Sequence, residues 1–240
     1  MPSRVLAIGH RGAAAHMPEN TMPSFAKALE LGADAVEFDV ALTRDGVPVV
    51  IHDDTLERTT NGRGPVEDAL YDEVRRLDAG RWKGVPTHVP SLVEVLDGFA
   101  ARTLLNLEIK ASPRRAELVD ACAAAVTAGG ATTAVVFSSF DHDALRLLRR
   151  LLPAARIGVL CDMAGLERAL ACAAELGAQN VHPPVVLVTR ALVERAHAAG
   201  LAVWTWTVNR PETIARVIAC GVDGIFSDLP ERVVAARADG

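Results

Sequence analysis

The chain has 240 residues, half of them hydrophobic and only 4% aromatic, with 25 basic against 30 acidic side chains and a formal charge of −5. That length suits one α/β barrel domain over 1–240 better than two separate domains. The acidic balance gives no field to gather a nucleic-acid backbone or an anionic membrane surface, and no segment approaches the roughly 18 uninterrupted apolar residues of a membrane helix.

In chain order, a first apolar run over 5–8 ends in Gly9-His10-Arg11-Gly12, and the spacing predicts a helix over 24–31. The next run, 35–38, carries Glu37 and leads into Asp39. A further strand-like run, 47–51, follows too soon for a crossover helix and reads as a hairpin arm. Asp45-Gly46 is a strong two-residue turn signal, and a two-residue loop sets a register in which Arg44 faces Val47 and Asp39 faces His52. Pro48 fits such an arm only if the side lacking an N–H points away from the ladder. From 55 to about 91 the rhythm is interrupted by a turn-rich insertion with one short helix-like piece near 72–77. Strand-like runs then recur at 103–109, 134–137, 156–160, 180–182, 202–205 and 224–226. Helical patterns at 116–127, 142–152, 166–176, 190–199 and 212–219 separate them, and Gly32, Gly177, Gly200 and Gly221 stand at helix stops.

Eight strands alternating with helices read as a closed (β/α)8 TIM-type barrel with a small insertion after the His52 strand. An open doubly wound sheet is the alternative, and the lack of a GxGxxG turn after the first run counts against it. The four cysteines, Cys122, Cys161, Cys172 and Cys220, form no CxxC pair and read as buried free thiols. The opening MPSRVLAIGHRG does not resemble a secretory leader, so a cytoplasmic location is expected.

Barrel enzymes keep their reacting groups where strands end at the C-terminal mouth. Residues two apart on a strand share a face, so Glu37 with Asp39, and Glu108 with Lys110, can be aimed at one axial site. Three carboxylates without a cysteine or a His-x-His pair make an oxygen-rich cage that suits Mg²⁺ or Ca²⁺ far better than Zn²⁺. With one divalent ion such a cage carries −1, and Arg11 and Lys110 bring the cluster to +1, a charge that welcomes a phosphodiester monoanion. Cleaving that diester also requires removing a proton from the attacking oxygen and delivering one to the departing alkoxide, tasks for His10 and His52.

These residues stand within longer matching text: GHRGAAAHMPENTMPSFAKALELGADAVEFDVALTRDGVPVVIHDDTLERTTNGRG, then VPSL, NLEIK, VFSSF, VWTWTVN and GVDGIFSDLP. From about residue 5 to 230 the chain closely resembles the bacterial glycerophosphodiester phosphodiesterases. The resemblance implies a barrel that cleaves deacylated phospholipid diesters to sn-glycerol 3-phosphate and an alcohol. By position it makes Glu37, Asp39 and Glu108 metal ligands, His10 and His52 the acid–base pair, and Arg11 and Lys110 phosphate contacts. Glu19 and Asn20 of PENT resemble residues that shape the site or touch the ligand, although Asn20 also suits a helix cap. Trp206 and Phe140 resemble walls against the glycerol moiety, with Trp204 a weaker candidate. The resemblance implies first attack by a glycerol hydroxyl, giving a cyclic phosphate that water opens; the residues alone fit direct attack by water equally well.

His16, His88, His142 and His197 lie outside these motifs and read as structural or solvated, whereas His182 ends its strand in His-Pro-Pro and could line the mouth without reading as a reacting group. Arg146, Arg149 and Arg150 read as a solvated helix face. Arg58, Trp82 and Lys83 of the insertion are its candidates for sensing the alcohol. An enzyme acting on intact lysophospholipid would need an apolar channel, for which the insertion offers little aromatic text. A catalytically silent phospholigand binder would be expected to lack one of the histidines or carboxylates, all of which are present.

Overall fold

A computed structural model describes residues 4–237. Eight parallel strands run β1 (Leu6–Gly9), β2 (Ala35–Leu42), β4 (Leu104–Ile109), β5 (Val135–Ser139), β6 (Arg156–Leu160), β7 (Asn180–His182), β8 (Ala202–Thr205) and β9 (Gly224–Ser227), and pairing of β1 with both β2 and β9 closes the barrel. That closure excludes the open sheet. Helices α1 (Met22–Glu30), α3 (Leu92–Phe99), α4 (Arg115–Ala128), α5 (His142–Leu151), α6 (Leu166–Leu176), α7 (Arg190–Ala198), α8 (Pro211–Cys220) and α9 (Pro230–Ala236) surround it. Among the described residues, no helix is long and apolar enough to cross a membrane.

Two of these helices, α3 and α9, were not expected from periodicity. The signal for α3 was nevertheless present, because Ser91 and Glu94 form a reciprocal capping box at its start. The four glycines placed at helix stops all have positive φ. Three cysteines are buried and all four are free thiols.

Alternation along the strands sorts the residues into two cores. Val36, Phe38 and Val40 of β2, with Leu105, Leu107 and Ile109 of β4, belong to the large apolar layer between barrel and helices. Ile8, Ala35, Val136, Trp204 and Phe226 form a separate plug inside the barrel. Continuing the inward parity toward the strand ends brings His10, Glu37, Asp39, Glu108, Phe140, Leu160 and Trp206 to the mouth, where they line one cavity.

The hairpin arm is β3 (Pro48–Val50), antiparallel to β2 and at the sheet edge, where Pro48 is tolerated. Its register differs by one residue from the expected one: Val40 pairs with Val50 and Leu42 with Pro48. The turn is a three-residue loop, Arg44-Asp45-Gly46, with Gly46 at φ 81°. Thr43 decides this, because its hydroxyl donates to Asp45 (2.7 Å) and accepts from the Val47 N–H (3.0 Å), adding one residue to the loop. Asp39 therefore faces Ile51, whose N–H donates to the Asp39 carbonyl, and His52 stands beyond the end of the strand.

Residues between β3 and α3 gather with Val49 of β3 on a small apolar cluster of their own, Ile51, Leu56, Val66, Val74, Ala79 and Val89, with one four-residue helix, α2 (Tyr71–Val74).

Candidate active site

Parallel pairing sets Asp39 beside Glu108 and Glu37 beside Asn106. Both β2 carboxylates are almost fully buried. Glu37, Asp39 and Glu108 each offer an oxygen, and these atoms lie within 4.8 Å of one another. Burial and repulsion from the other two carboxylates push Glu37 well above the ordinary range. Burial, reinforced by Asp39, pushes Glu108 up to about 7. Asp39 behaves oppositely: burial works against its charge, but Arg11, Lys110, His52 and the Asn20 amide together hold it low. A cation among the three oxygens would favour the ionised form of all of them, so the donor set fits a hard divalent ion.

Two cations flank the carboxylates. Lys110 Nζ lies 3.2 Å from Glu108 and 3.6 Å from Asp39. Arg11 Nε lies 3.3 Å from Asp39, and the Arg11 backbone N–H donates to Glu37 at 2.7 Å. That contact depends on an unusual turn. Arg11 has φ 52°, and Gly12, at φ 85°, passes so close to Ser24 that a Cβ there would meet the Ser24 backbone and hydroxyl at 2.4–2.7 Å.

Each catalytic histidine candidate is held by its own carboxylate. The His10 Nδ1–H donates to Asp228 (2.7 Å) and the His52 Nδ1–H donates to Asp53 (2.6 Å), since an ionised carboxylate can only accept. Despite the cost of burial, the bonds from His10 and Asn209 keep Asp228 low. Asp53 is also held low, foremost by its hydrogen bond from Arg58. This geometry leaves Nε2 of each ring as the nitrogen free to exchange a proton.

His10, Arg11, Glu37, Asp39, His52, Glu108, Lys110, Phe140 and Trp206 line one cavity of about 140 Å³. Phe140 and Trp206 meet edge to face there, with ring centroids 5.5 Å apart. Glu19 and Asn20 stand behind the cavity wall. The Glu19 carboxylate accepts from Arg11 (2.7 Å), and the Asn20 amide, at φ 57°, donates to Asp39 (2.9 Å). Thr21 occupies the cap position of α1, so Asn20 is not its cap. Trp204 is buried and stacks on His182 below the cavity.

Asp228, Asn209 and Asp53 were missed as site residues. Barrel closure supplies Asp228: β1 and β9 pair Gly9 with Ser227, so the next rung sets His10 beside Asp228. Asn209 secures it, donating to its carboxylate at 2.6 Å and accepting its N–H at 2.9 Å. The other histidines hold the frame: His16 pairs with Glu231, His88 with Glu94 and His197 with Asp223, while His142 bonds the Leu160 carbonyl. Arg149 departs from the solvated reading, donating to the carbonyls of Pro153, Ala155 and Leu176.

A cavity whose carboxylates, cations and imidazoles gather at the C-terminal mouth of a closed parallel barrel belongs to a TIM-barrel enzyme that handles an anionic ester. Comparison with known proteins narrows the class. The chain belongs to the glycerophosphoryl diester phosphodiesterase family, which it matches over residues 10–232. It is 38% identical over 236 residues to the glycerophosphodiester phosphodiesterase of Caldanaerobacter subterraneus subsp. tengcongensis, covering 96% of this chain and 97% of that protein. A crystal structure from Silicibacter pomeroyi matches with a TM-score of 0.92 at 36% identity, covering 100% of this chain and 95% of the other. An Oleispira antarctica phosphodiesterase, solved in complex with the product sn-glycerol-3-phosphate, matches with a TM-score of 0.87 at 30% identity over 99% and 97% of the two chains. The protein is thus a phosphoric diester hydrolase acting on glycerophosphodiesters.

Proposed function

We propose that this enzyme releases sn-glycerol 3-phosphate and an alcohol, with Mg²⁺ or Ca²⁺ held by Glu37, Asp39 and Glu108 and with His10 and His52 moving the protons. The observation that carries the reading is the sharing of one cavity by three clustered carboxylates and two histidines, each anchored through Nδ1. The product bound by the Oleispira antarctica relative supports the glycerol 3-phosphate side of the reaction. When bound, the cation would stabilise negative charge developing on the phosphoryl oxygens.

The chain's own residues supply the rest. Arg11 and Lys110 hold the non-bridging oxygens of the diester. One imidazole takes the proton of the attacking oxygen and the other delivers a proton to the leaving alkoxide. Trp206 and Phe140 face the carbon skeleton of the glycerol moiety. Asn20 orients Asp39, and Glu19 orients Arg11. We assign the work to one barrel domain over 1–240, with 55–91 as its insertion, acting on a small-molecule diester without nucleic acid or stable membrane association. Free thiols at all four cysteines support a cytoplasmic setting.

The test is glycerol 3-phosphate release from glycerophosphocholine, with EDTA and after adding back Mg²⁺ or Ca²⁺. Chelation should abolish release and either cation should restore it. Release untouched by EDTA would overturn the metal assignment, and no release with any cation would overturn the substrate.

A further inference from the structure

Arg58, at the start of the insertion, reaches two carboxylates at once. Its Nε and Nη2 donate to Asp53 at 2.5 and 2.9 Å, and its Nη1 and Nη2 donate to Glu19, both at 2.8 Å. Each carboxylate has a second partner at the cavity: Asp53 accepts from His52 Nδ1 (2.6 Å) and Glu19 accepts from Arg11 Nη1 (2.7 Å). One planar fork therefore joins the support of an imidazole to the support of a guanidinium. Arg58 is not among the residues lining the catalytic cavity, so its effect on that cavity passes through Asp53 and Glu19.

The segment Arg58 ties down is the loop between β1 and α1, where Arg11 (φ 52°) holds a left-handed conformation that is uncommon for its residue type and Asn20 (φ 57°) one that asparagine tolerates more readily. Lys83 of the insertion adds a second tie, donating to the carbonyls of Ala14 and Ala15. Both basic side chains that the sequence offered as sensors of the alcohol are thus engaged with this loop, and Arg58 with Asp53 as well. The four charges, Arg11 and Arg58 against Glu19 and Asp53, balance.

We propose that Arg58 is a positioning residue, which fixes Asp53 and Glu19 relative to each other and so sets where His52 and Arg11 meet the diester. The insertion then acts as a brace on the first barrel loop. This inference rests on the acid–base and phosphate roles proposed for His52 and Arg11. A lysine at position 58 could hold one carboxylate but not reproduce two paired contacts, because an ammonium is a point charge and a guanidinium a fixed fork.

The experiment compares kcat, KM, half-activating metal concentration and melting temperature for Arg58→Ala, Arg58→Lys, Asp53→Asn and the Arg58→Ala/Asp53→Asn double variant, with His52→Ala alongside. Arg58→Ala should lower kcat roughly ten- to hundredfold, the range seen when an outer partner of a site residue is lost. Its metal requirement should stay put, since Arg58 touches none of the three carboxylates of the cage. Arg58→Lys should recover part of the loss, and the double variant should fall no further than the worse single, because both changes cut the same line of contacts. A kcat within about twofold of the parent, additive losses, or a deficit that disappears at temperatures where the variant is fully folded would each overturn the proposal. An inactive His52→Ala beside a fully active Arg58→Ala would sink this inference alone. A fully active His52→Ala would sink the acid–base reading and this inference with it.

Discussion

Around the catalytic cavity, the strands of the first half of the barrel contribute charged side chains, whereas those of the second half contribute rings and neutral groups, with Asp228 after β9 standing outside the cavity lining as the support of His10. His10, Glu37, Asp39, Glu108 and Lys110 come from β1, β2 and β4, and Phe140, Leu160, His182, Trp206 and Phe226 come from the strands after them. Burial acts on both halves by disfavouring charge, with opposite signs. It raises the Glu37 and Glu108 carboxyls in the first half, and in the second it lowers His182 to about 3 and keeps that ring neutral. The first half needs Arg11, Lys110 and, on our reading, a cation to keep its acids ionised. In the second, His182 stacks on Trp204 with 12° between ring planes and touches Phe226, while neither of its buried ring nitrogens finds a hydrogen-bond partner. A cavity divided this way matches a substrate with an anionic phosphate at one end and a carbon skeleton at the other.

The division can be broken from either side. The largest effect belongs to the charged half: His52→Ala should lower kcat by about 10²- to 10⁴-fold while the metal requirement stays near that of the parent. Titrating Mg²⁺ against initial rate checks both parts. Glu108→Gln should act differently, raising the metal concentration for half-activation by about ten- to hundredfold. An unchanged half-activation point would remove Glu108 from the ligand set. In the neutral half, Trp206→Ala should cost on the order of 1–2 kcal/mol of substrate binding, about tenfold in kcat/KM and carried mainly by KM. A loss confined to kcat would move Trp206 out of the binding wall.

The smallest effect on chemistry should come from Gly158→Ala. A Cβ at Gly158 would meet the His182 ring at 2.4 Å, and that ring cannot retreat because Trp204 lies flat against it. Overpacking of this kind costs about 1–3 kcal/mol, which corresponds to a melting temperature lower by roughly 2–12 °C. Calorimetry should show this drop with the half-activating metal concentration unchanged; a shifted metal requirement would show that the two halves are coupled.

Much of the charged half was legible in the chain because it obeys a local rule. A period of two places Glu37 with Asp39 and Glu108 with Lys110, and the strand ends of a parallel barrel share one face. The supports of the histidines were harder to see. Asp228 lies 218 residues from His10, and nothing local to either joins them. They become neighbours only when the last strand closes against the first. Asp53 was adjacent to His52 all along, but its task depends on the turn that carries both past the end of β3.

The register of β2 and β3 shows the same limit at short range. Asp45-Gly46 marked the turn correctly, yet the loop length was set by the Thr43 hydroxyl, and one added residue changed the partner of Asp39 from His52 to Ile51. What the sequence by itself determined was the succession of strands and helices and the kind of chemistry at each strand end, because periodicity and residue type are local properties. Only the tertiary structure decided which end meets which: barrel closure, hairpin register and the reach of Arg58 join residues through space, and a linear pattern carries no distance between them.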